Sequence, residues 1–181
     1  IRGVIAARID RLDEPRRRVL RNAAVVGREF LYYVVAQVTG EADGEANGGA
    51  DGLQPSLAQL EAADLIRSRS RAPDVEYTFK HALTQEVAYN SVLIERRRVL
   101  HERTAQVIEA LFHSRLEDHY NELAHHYSRS GNARKAVEYL GLAGQQAVQR
   151  SANAEALTHF TTALELLKTM PESPARMQQE L

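Results

Sequence analysis

The chain has 181 residues, of which 23 are basic and 24 acidic, for a formal net charge of −1. This balance excludes an overall electrostatic attraction to nucleic acid or to an anionic membrane. Cysteine is absent, which excludes disulfides, thiolate zinc sites and a cysteine nucleophile. No apolar run approaches the roughly 20 residues that cross a bilayer, and no signal peptide opens the chain, so we expect a cytoplasmic protein without membrane contacts.

Apolar residues at helical spacing begin the chain. They predict a first helix through Ile1, Ile5, Ile9 and Leu12. Because this helical pattern is already present at the first residue, which is an isoleucine and not a methionine, we expect the chain to be part of a longer protein. Asp13 is a candidate N-cap and Pro15 suits the first turn of a second helix, which ends near Gly27. The side chains that this second helix is expected to bury are Val19, Leu20, Ala23, Ala24 and Val26.

A third short apolar piece spans 30–38, and residues 41–54 follow with four glycines and four acids. Their lack of an apolar period predicts a flexible surface loop, to which we assign no function. A helix is predicted over 55–66, and two strands over 65–71 and 75–79, because Val75, Tyr77 and Phe79 alternate with polar residues. Three helices followed by a hairpin is the order of a winged helix.

From residue 81 onward the apolar period is helical, with helices predicted over 81–93 and 95–112. Beyond them, a pattern of four residues recurs with an offset of 20 residues, and we call this recurrence the 20-residue echo. Gly131, Ala136, Leu140 and Ala143 recur as Ser151, Ala156, Phe160 and Ala163. Small residues at fixed spacing let helices approach closely, as they do in helical solenoids. Gly131 and Asn132 predict a stop and a restart, Asn153 is a candidate N-cap, and Pro171 is expected to end the array.

This small-residue pattern is similar to the second helix of a tetratricopeptide repeat (TPR), and Leu123, Tyr127 and Gly131 match the first helix of one. The offset of 20 differs from the 34-residue TPR period. We therefore predict one repeat followed by a further helix. A plain bundle of antiparallel helices would bury the same alanines and stays an alternative.

Three segments together resemble a known family: GVIAARIDRL at 3–12, YTFKHALTQEVAYNSVL at 77–93 and LAHHYSRSGNARKAVEYLGLAGQQA at 123–147. They are similar to the region after the ATPase module in bacterial signal-transduction ATPases with numerous domains, the STAND class. The resemblance is strongest to multidomain proteins with a class III adenylate or guanylate cyclase domain, and it extends to large transcriptional regulators.

The resemblance implies a mainly α fold, with a winged-helix domain carrying a short β-hairpin, followed by antiparallel TPR-like helical repeats. It implies three parts. Residues 1–12 would end a helix of the preceding ATPase lid, 13–93 would form the winged helix including the loop at 41–54, and 94–181 would form the TPR-like domain. ATP or ADP and the neighbouring ATPase module would belong to the longer protein. An unidentified protein or small-molecule signal would bind the repeats.

We expect no enzyme activity in this segment and assign no catalytic residue and no cofactor. The chain has no G-x-x-x-x-G-K-[ST] phosphate loop, since the glycines at 44, 48, 49 and 52 lie among acids without the required lysine. The paired metal-binding aspartates of a cyclase and the G-x-S-x-G motif of hydrolases are also absent from the sequence.

His81 and Lys80 are the candidate nucleotide-sensing residues. The resemblance implies that a histidine at the end of the last winged-helix strand meets the diphosphate of the resting ATPase. The family pattern there is an apolar residue, His, Asp and Leu, whereas this chain has Ala82 in place of the aspartate. A histidine beside a lysine, near a helix start, can donate to a phosphate oxygen. The alternative is that His81 only caps or packs at the junction.

Two further groups of polar residues could suggest a binding site. Asp118, His119, Glu122, His125 and His126 lie on successive turns, but neighbouring apolar residues claim the buried face, so we expect no metal site. Arginine clusters at 16–18, 67–71 and 96–98 could suggest DNA. The helix that would enter the major groove carries Glu61 and Asp64 and no basic residue before Arg67, so we do not expect nucleic-acid binding. Solvated faces or contacts with the ATPase module account for these arginines.

The sequence therefore favours a non-catalytic regulatory segment that couples the nucleotide state of a STAND-type ATPase, linked to a cyclase, to signal or partner binding. One alternative is a winged-helix DNA-binding segment of a transcriptional regulator. The other is a plain TPR-like protein-binding adaptor.

Overall fold

The computed structural model describes residues 2–42, 49–71 and 74–170, which are mainly helical with a small three-stranded antiparallel sheet. The elements are α1 (Arg2–Asp10), α2 (Glu14–Val26), β1 (Glu29–Leu31), α3 (Tyr32–Ala42), α4 (Gly49–Ala62), β2 (Ile66–Arg71), β3 (Asp74–Phe79), α5 (Ala82–Asn90), α6 (Ile94–Leu111), a short 3-10 segment (His113–His119), α7 (Tyr120–Ser130), α8 (Ala133–Gln149) and α9 (Asn153–Thr169).

The chain forms two compact units, Ile1–Val107 and Ile108–Leu181. We call them the N-terminal unit and the C-terminal unit. The boundary lies inside α6, whereas the sequence prediction put it before residue 94. Among the described residues, no helix is both long enough and apolar enough to cross a membrane.

The ends of α2 follow the sequence prediction. Asp13 is the N-cap, and its carboxylate accepts a hydrogen bond from the backbone N–H of Arg16 at 3.3 Å. Pro15 lies in the first turn, where its missing N–H costs nothing. The helix ends at Gly27, and the predicted buried side chains Val19, Leu20, Ala23, Ala24 and Val26 are buried.

The sheet has the strand order β1-β3-β2. The sequence treated 30–38 as one apolar piece, which is wrong, because Phe30 belongs to β1 and the helix α3 begins only at Tyr32. Phe30 lies opposite Tyr77 of β3, with the two rings stacked at 5.7 Å between centroids, and Phe79 meets Phe30 edge-on at 5.8 Å. All three rings are buried, so aromatic packing stabilises a three-residue strand that has no sequence period of its own.

The predicted loop at 41–54 is wrong at both ends. Glu41 and Ala42 end α3, and α4 already begins at Gly49, with Pro55 inside it. Leu53 is buried on the same helical stripe as Leu57 and Leu60. Burial of this stripe stabilises the helix and outweighs the low helix propensity of the glycines. The positions 43–48 lie outside the described residues.

The helix α4 ends at Ala62, four residues earlier than predicted, in a left-handed turn. Asp64 has a φ of 59°, and the N–H of Leu65 donates to the carbonyl of Leu60 at 3.1 Å. The N–H of Asp64 donates to the carbonyl of Glu61 at 2.9 Å. These two bonds form a Schellman motif, which releases the chain into β2.

In the C-terminal unit, α7 packs against α8, and α8 against α9. The 20-residue echo extends to the backbone, because Gly131 and Ser151 both adopt left-handed conformations, with φ of 90° and 59°. Ala136, Ala143, Ala156 and Ala163 are buried, as the pattern predicts. Phe160 stays 37% exposed, and its ring lies against Gly144.

Of the two helix caps predicted in this unit, one is confirmed and the other is wrong. Asn132 caps α8, since its side-chain oxygen accepts from the N–H of Lys135 at 3.2 Å. Asn153 is not a cap but the first residue of α9, and Ala152 occupies the N-cap position without a side-chain bond. Ala152 instead completes the turn after α8, donating its N–H to the carbonyl of Ala147. Pro171 lies outside the described residues.

Gly131→Ala is expected to lower the free energy of unfolding by about 1 kcal/mol, because an alanine is strained at a φ of 90°. Gly141→Ala is the matched control within α8, where an added Cβ meets nothing within 4 Å. It should raise the free energy of unfolding by about 0.5–1 kcal/mol through helix propensity. Urea unfolding followed by circular dichroism measures both, and effects of the same sign would contradict the turn's conformational requirement.

Candidate functional site

His81 lies between β3 and α5, at the N-cap position of the helix. The junction before it is fixed from two sides. The N–H of Phe79 donates to the carbonyl of Arg28 at 2.9 Å, and the N–H of Lys80 donates to the carbonyl of Leu65 at 3.1 Å. β3 ends at Phe79, so His81 follows the last of these two bonds, and its backbone stays extended, with φ of −129° and ψ of 135°.

The helix α5 that follows His81 is held against the body of the N-terminal unit. The side-chain amide of Gln85 donates to the carbonyl of Ala24 in α2 at 2.8 Å, and Thr84 is buried. Arg2 of α1 donates to the carboxylate of Glu86 at 2.8 Å. The start of α5 is thus held by contacts with α1 and α2.

The His81 side chain is exposed and makes no capping hydrogen bond. The carbonyl of His81 accepts from the N–H of Thr84 at 3.0 Å, so only its backbone takes part in starting the helix. His81 thus caps α5 through its backbone carbonyl and not through its side chain, which agrees in part with the alternative that this residue only caps or packs at the junction. An imidazole in this position can donate a hydrogen bond to an anion on another surface.

Lys80 contacts Asp64, so the structure gives the two predicted sensing residues different surroundings. The ammonium of Lys80 donates to the Asp64 carboxylate across the end of α4. This hydrogen bond and the positive charge of Lys80 lower the pKa of Asp64 despite some desolvation of the carboxylate. A phosphate that approached Lys80 would compete with Asp64, whereas the His81 side chain makes no hydrogen bond at the helix cap.

The residues around His81 include hydrogen-bond donors that suit an anion. His81 and Ala82 are both exposed, so this edge of the unit is open. A histidine donor, a lysine and helical N–H groups can bind a phosphate oxygen from one side. The remaining walls of a nucleotide site would have to come from another surface.

A second polar cluster lies in the N-terminal unit and was missed by the sequence prediction. The Tyr89 hydroxyl and Nε2 of His101 are 3.0 Å apart, and His101 is buried. The guanidinium of Arg97 lies 4.8 Å from the centre of the Tyr89 ring, at cation–π distance. These contacts join α5 to α6, which suits a structural role.

A third polar cluster, in the C-terminal unit, surrounds Glu109. Its carboxylate accepts from the Tyr127 hydroxyl at 2.7 Å, from the ammonium of Lys135 at 3.1 Å, and from the Tyr139 hydroxyl. The two tyrosine rings stack at 5.5 Å, and both are buried. We call Glu109, Tyr127, Lys135 and Tyr139 the Glu109 cluster.

Hydrogen bonding sets the charge state of the Glu109 cluster. Burial alone would raise the pKa of Glu109, but the bonds from Tyr139, Tyr127 and Lys135 lower it. Burial and the bond to Glu109 raise the pKa of Tyr139 well above its usual value. The pKa of Lys135 is raised by Glu109 against the effect of burial. The cluster therefore keeps one carboxylate charged and partnered, and it joins the end of α6 to α7 and α8.

The five residues weighed as metal ligands do not converge. Nδ1 of His119 lies 2.9 Å from the Glu122 carboxylate, and the His119 ring stacks on Phe112 at 4.1 Å. His126 is buried whereas His125 is exposed. Within the described ranges, no three His, Asp or Glu side chains lie close enough to share a metal ion.

The acidic residues weighed against DNA binding are engaged within the unit. The Glu61 carboxylate accepts from the backbone N–H and the hydroxyl of Ser68, at 2.7 and 2.8 Å. Asp64 lies beyond the end of α4, where it pairs with Lys80. Arg67 and Arg69 of β2 are exposed. Carboxylates at the end of α4 would face the phosphates of a duplex unfavourably.

Comparison with known proteins gives one relative to report. No protein-family model matches the chain, and no solved structure matches it. An uncharacterized protein from Rhizobium meliloti (strain 1021) is 36% identical over 107 residues, which are 59% of this chain and 10% of that protein. The matched part thus spans about a tenth of the relative, whose length is on the order of 1,000 residues.

Proposed function

We propose that the chain is a non-catalytic regulatory segment of a multidomain, cytoplasmic STAND-type signalling ATPase. Its N-terminal unit acts as a winged helix that contacts the nucleotide of a neighbouring ATPase module. Its C-terminal unit acts as a TPR-like scaffold that receives a protein or small-molecule signal. ATP or ADP belongs to the ATPase module, and the output is control of a linked cyclase domain.

The observation that carries this proposal is the exposed His81 side chain at the end of β3. A histidine at a fixed helix start, with no capping bond of its own, is free to meet a phosphate from another domain. The element order α2, β1, α3, α4, β2, β3 supports a winged-helix interpretation of the N-terminal unit. The engaged carboxylates of Glu61 and Asp64 favour this role over DNA reading.

The scaffold role is supported by the helix pairs of the C-terminal unit. Short turns at Gly131 and Ser151 join three helices that pack in sequence order, with small residues at their contacts. Repeats of this kind stack to form extended binding surfaces. The size of the Rhizobium meliloti relative supports a multidomain context, because it leaves room for ATPase and output domains outside the matched part.

His81→Ala in the longer protein is expected to reduce the ADP that copurifies with it to about a tenth or less of the wild-type amount. A hydrogen bond to a charged group contributes about 1.5–3 kcal/mol, and 1.4 kcal/mol is tenfold in affinity. His113→Ala, an exposed histidine of the C-terminal unit, is the matched control and should retain ADP. ADP released by denaturation is quantified by chromatography.

Asp64→Asn separates the two sensing candidates. It removes the ionic partner of Lys80 and leaves the His81 side chain in place. If Lys80 also meets the diphosphate, Asp64→Asn should raise ADP retention while Lys80→Gln lowers it. If His81→Ala and wild type hold ADP equally, the nucleotide role is contradicted, and a protein-binding adaptor becomes the better interpretation.

A further inference from the structure

Two arginine clusters that are far apart in the sequence meet at one groove of the N-terminal unit. Arg18 and Arg21 line it from α2, and Arg96 lines it from the first turn of α6. The groove has a volume of about 250 Å³. We call it the arginine groove, and its other lining residues include Glu14, Ser91 and Leu93.

The arginine groove has an excess of positive charge. Its lining carries three guanidinium groups against the single carboxylate of Glu14, a net formal charge of +2. Glu14 is 69% exposed and already faces Arg17 at 3.6 Å and Arg21 at 4.0 Å. This excess of positive charge in the lining favours an anionic ligand over a cationic one.

The guanidinium of Arg21 is oriented by a neighbouring hydroxyl. Nε of Arg21 donates to the Ser91 hydroxyl at 3.1 Å, and that hydroxyl donates to the carbonyl of Ala88 at 2.7 Å. Ser91 lies in the turn between α5 and α6. A side chain held in this way loses less conformational entropy when it binds a ligand.

Exposed apolar side chains lie at one side of the arginine groove, and we call them its apolar rim. Leu93 lines the groove and is 80% exposed, and Ile94, the next residue in the chain, is 61% exposed. An inorganic anion would make no use of this rim. A protein segment that carries carboxylates and an apolar side chain would complement both features, because arginine forks bind carboxylates with two parallel hydrogen bonds.

We propose that the arginine groove binds an acidic segment of a partner protein, with a carboxylate between Arg18, Arg21 and Arg96 and an apolar side chain on Leu93. This inference does not depend on the nucleotide role of His81. It gives a binding role to one arginine from each of two sequence clusters, Arg18 and Arg96, which the sequence assigned to solvated faces or to contacts with the ATPase module.

A blocked six-residue peptide of leucine and glutamate is the probe, and its glutamine counterpart is the uncharged control. Binding to the 181-residue chain is measured by fluorescence anisotropy. The acidic peptide should bind, and its affinity should fall with added salt. The combined variant Arg18→Gln, Arg96→Gln should raise its Kd about tenfold or more. Arg98→Gln, an exposed arginine of α6 that pairs with Glu95, should change Kd less than about twofold.

Two single variants guard against misfolding of the double variant, and thermal melting checks all of them. Ser91→Ala releases Arg21 and should raise the Kd of the acidic peptide about threefold. Leu93→Ser removes the apolar rim and should weaken the peptide without changing the binding of inorganic phosphate. The proposal is overturned if the glutamine peptide binds as tightly, if Arg98→Gln acts like the groove variants, or if phosphate binds as tightly as the peptide.

Discussion

Glu109→Ala is expected to lower the free energy of unfolding of the C-terminal unit by about 2–3 kcal/mol. The substitution leaves two buried tyrosine hydroxyls and the ammonium of Lys135 without their shared acceptor. The side chain of Glu109 is 25% exposed, so solvent offsets part of the loss. We therefore expect a smaller loss of stability than for a fully buried ion pair. Urea unfolding, with hydrogen exchange of α7 and α8, measures the effect.

Glu138→Ala is the matched control for Glu109→Ala. Glu138 pairs with the same lysine at 3.6 Å but is 46% exposed, so its loss should cost under about 1 kcal/mol. Equal losses for the two variants would show that charge near Lys135 matters and that the tyrosine bonds do not.

The pH dependence of stability should carry the signature of the Glu109 cluster. The folded state lowers the pKa of Glu109 below 4.5, so its contribution is present above that pH and is lost as pH falls through the lowered pKa. The folded state raises the pKa of Lys135 and Tyr139, so their contributions are lost as pH rises above about 10. Glu109→Gln should flatten the acid limb, and an unchanged acid limb would contradict the assignment.

Phe79→Ala is expected to lower the free energy of unfolding of the N-terminal unit by about 3–5 kcal/mol. The Phe79 ring is buried and meets Phe30 of β1, and Phe79 is the last residue of β3, two positions before His81. Its removal leaves a cavity and leaves the Phe30 ring with Tyr77 as its remaining described aromatic contact in β3. Chemical unfolding and hydrogen exchange of β1 and β3 report the loss.

Val75→Ala is the control on the same strand. Val75 is 38% exposed, so its truncation should cost under about 1 kcal/mol. A cost for Phe79→Ala that is no larger than the cost for Val75→Ala would contradict an aromatic core beneath the His81 junction.

Local features of the fold were predictable from the sequence because they depend on neighbouring residues. The Asp13 cap, the Gly131 turn and the alternation of Val75, Tyr77 and Phe79 are each encoded within a few positions. Structure that depends on distant packing was not predictable. Phe30 forms a strand only because β3 lies beside it, and Leu53 extends α4 because a core covers it.

Whether a candidate site could be predicted also depends on how far apart its residues lie in the sequence. His81 was found because a segment around it resembles a known motif. The Glu109 cluster was missed because its members lie at 109, 127, 135 and 139 on three helices, and no spacing in the sequence links them. Arg18 and Arg96 of the arginine groove belong to separate charge clusters in the sequence, and only the fold brings them to one groove.

The rate of ADP release tests the nucleotide role of His81 most directly. Dissociation of a fluorescent ADP analogue from the longer protein is followed by stopped flow after mixing with excess unlabelled ADP. We expect His81→Ala to raise the dissociation rate about tenfold or more, with His113→Ala unchanged from wild type. Equal dissociation rates for wild type and His81→Ala would contradict contact between His81 and the nucleotide.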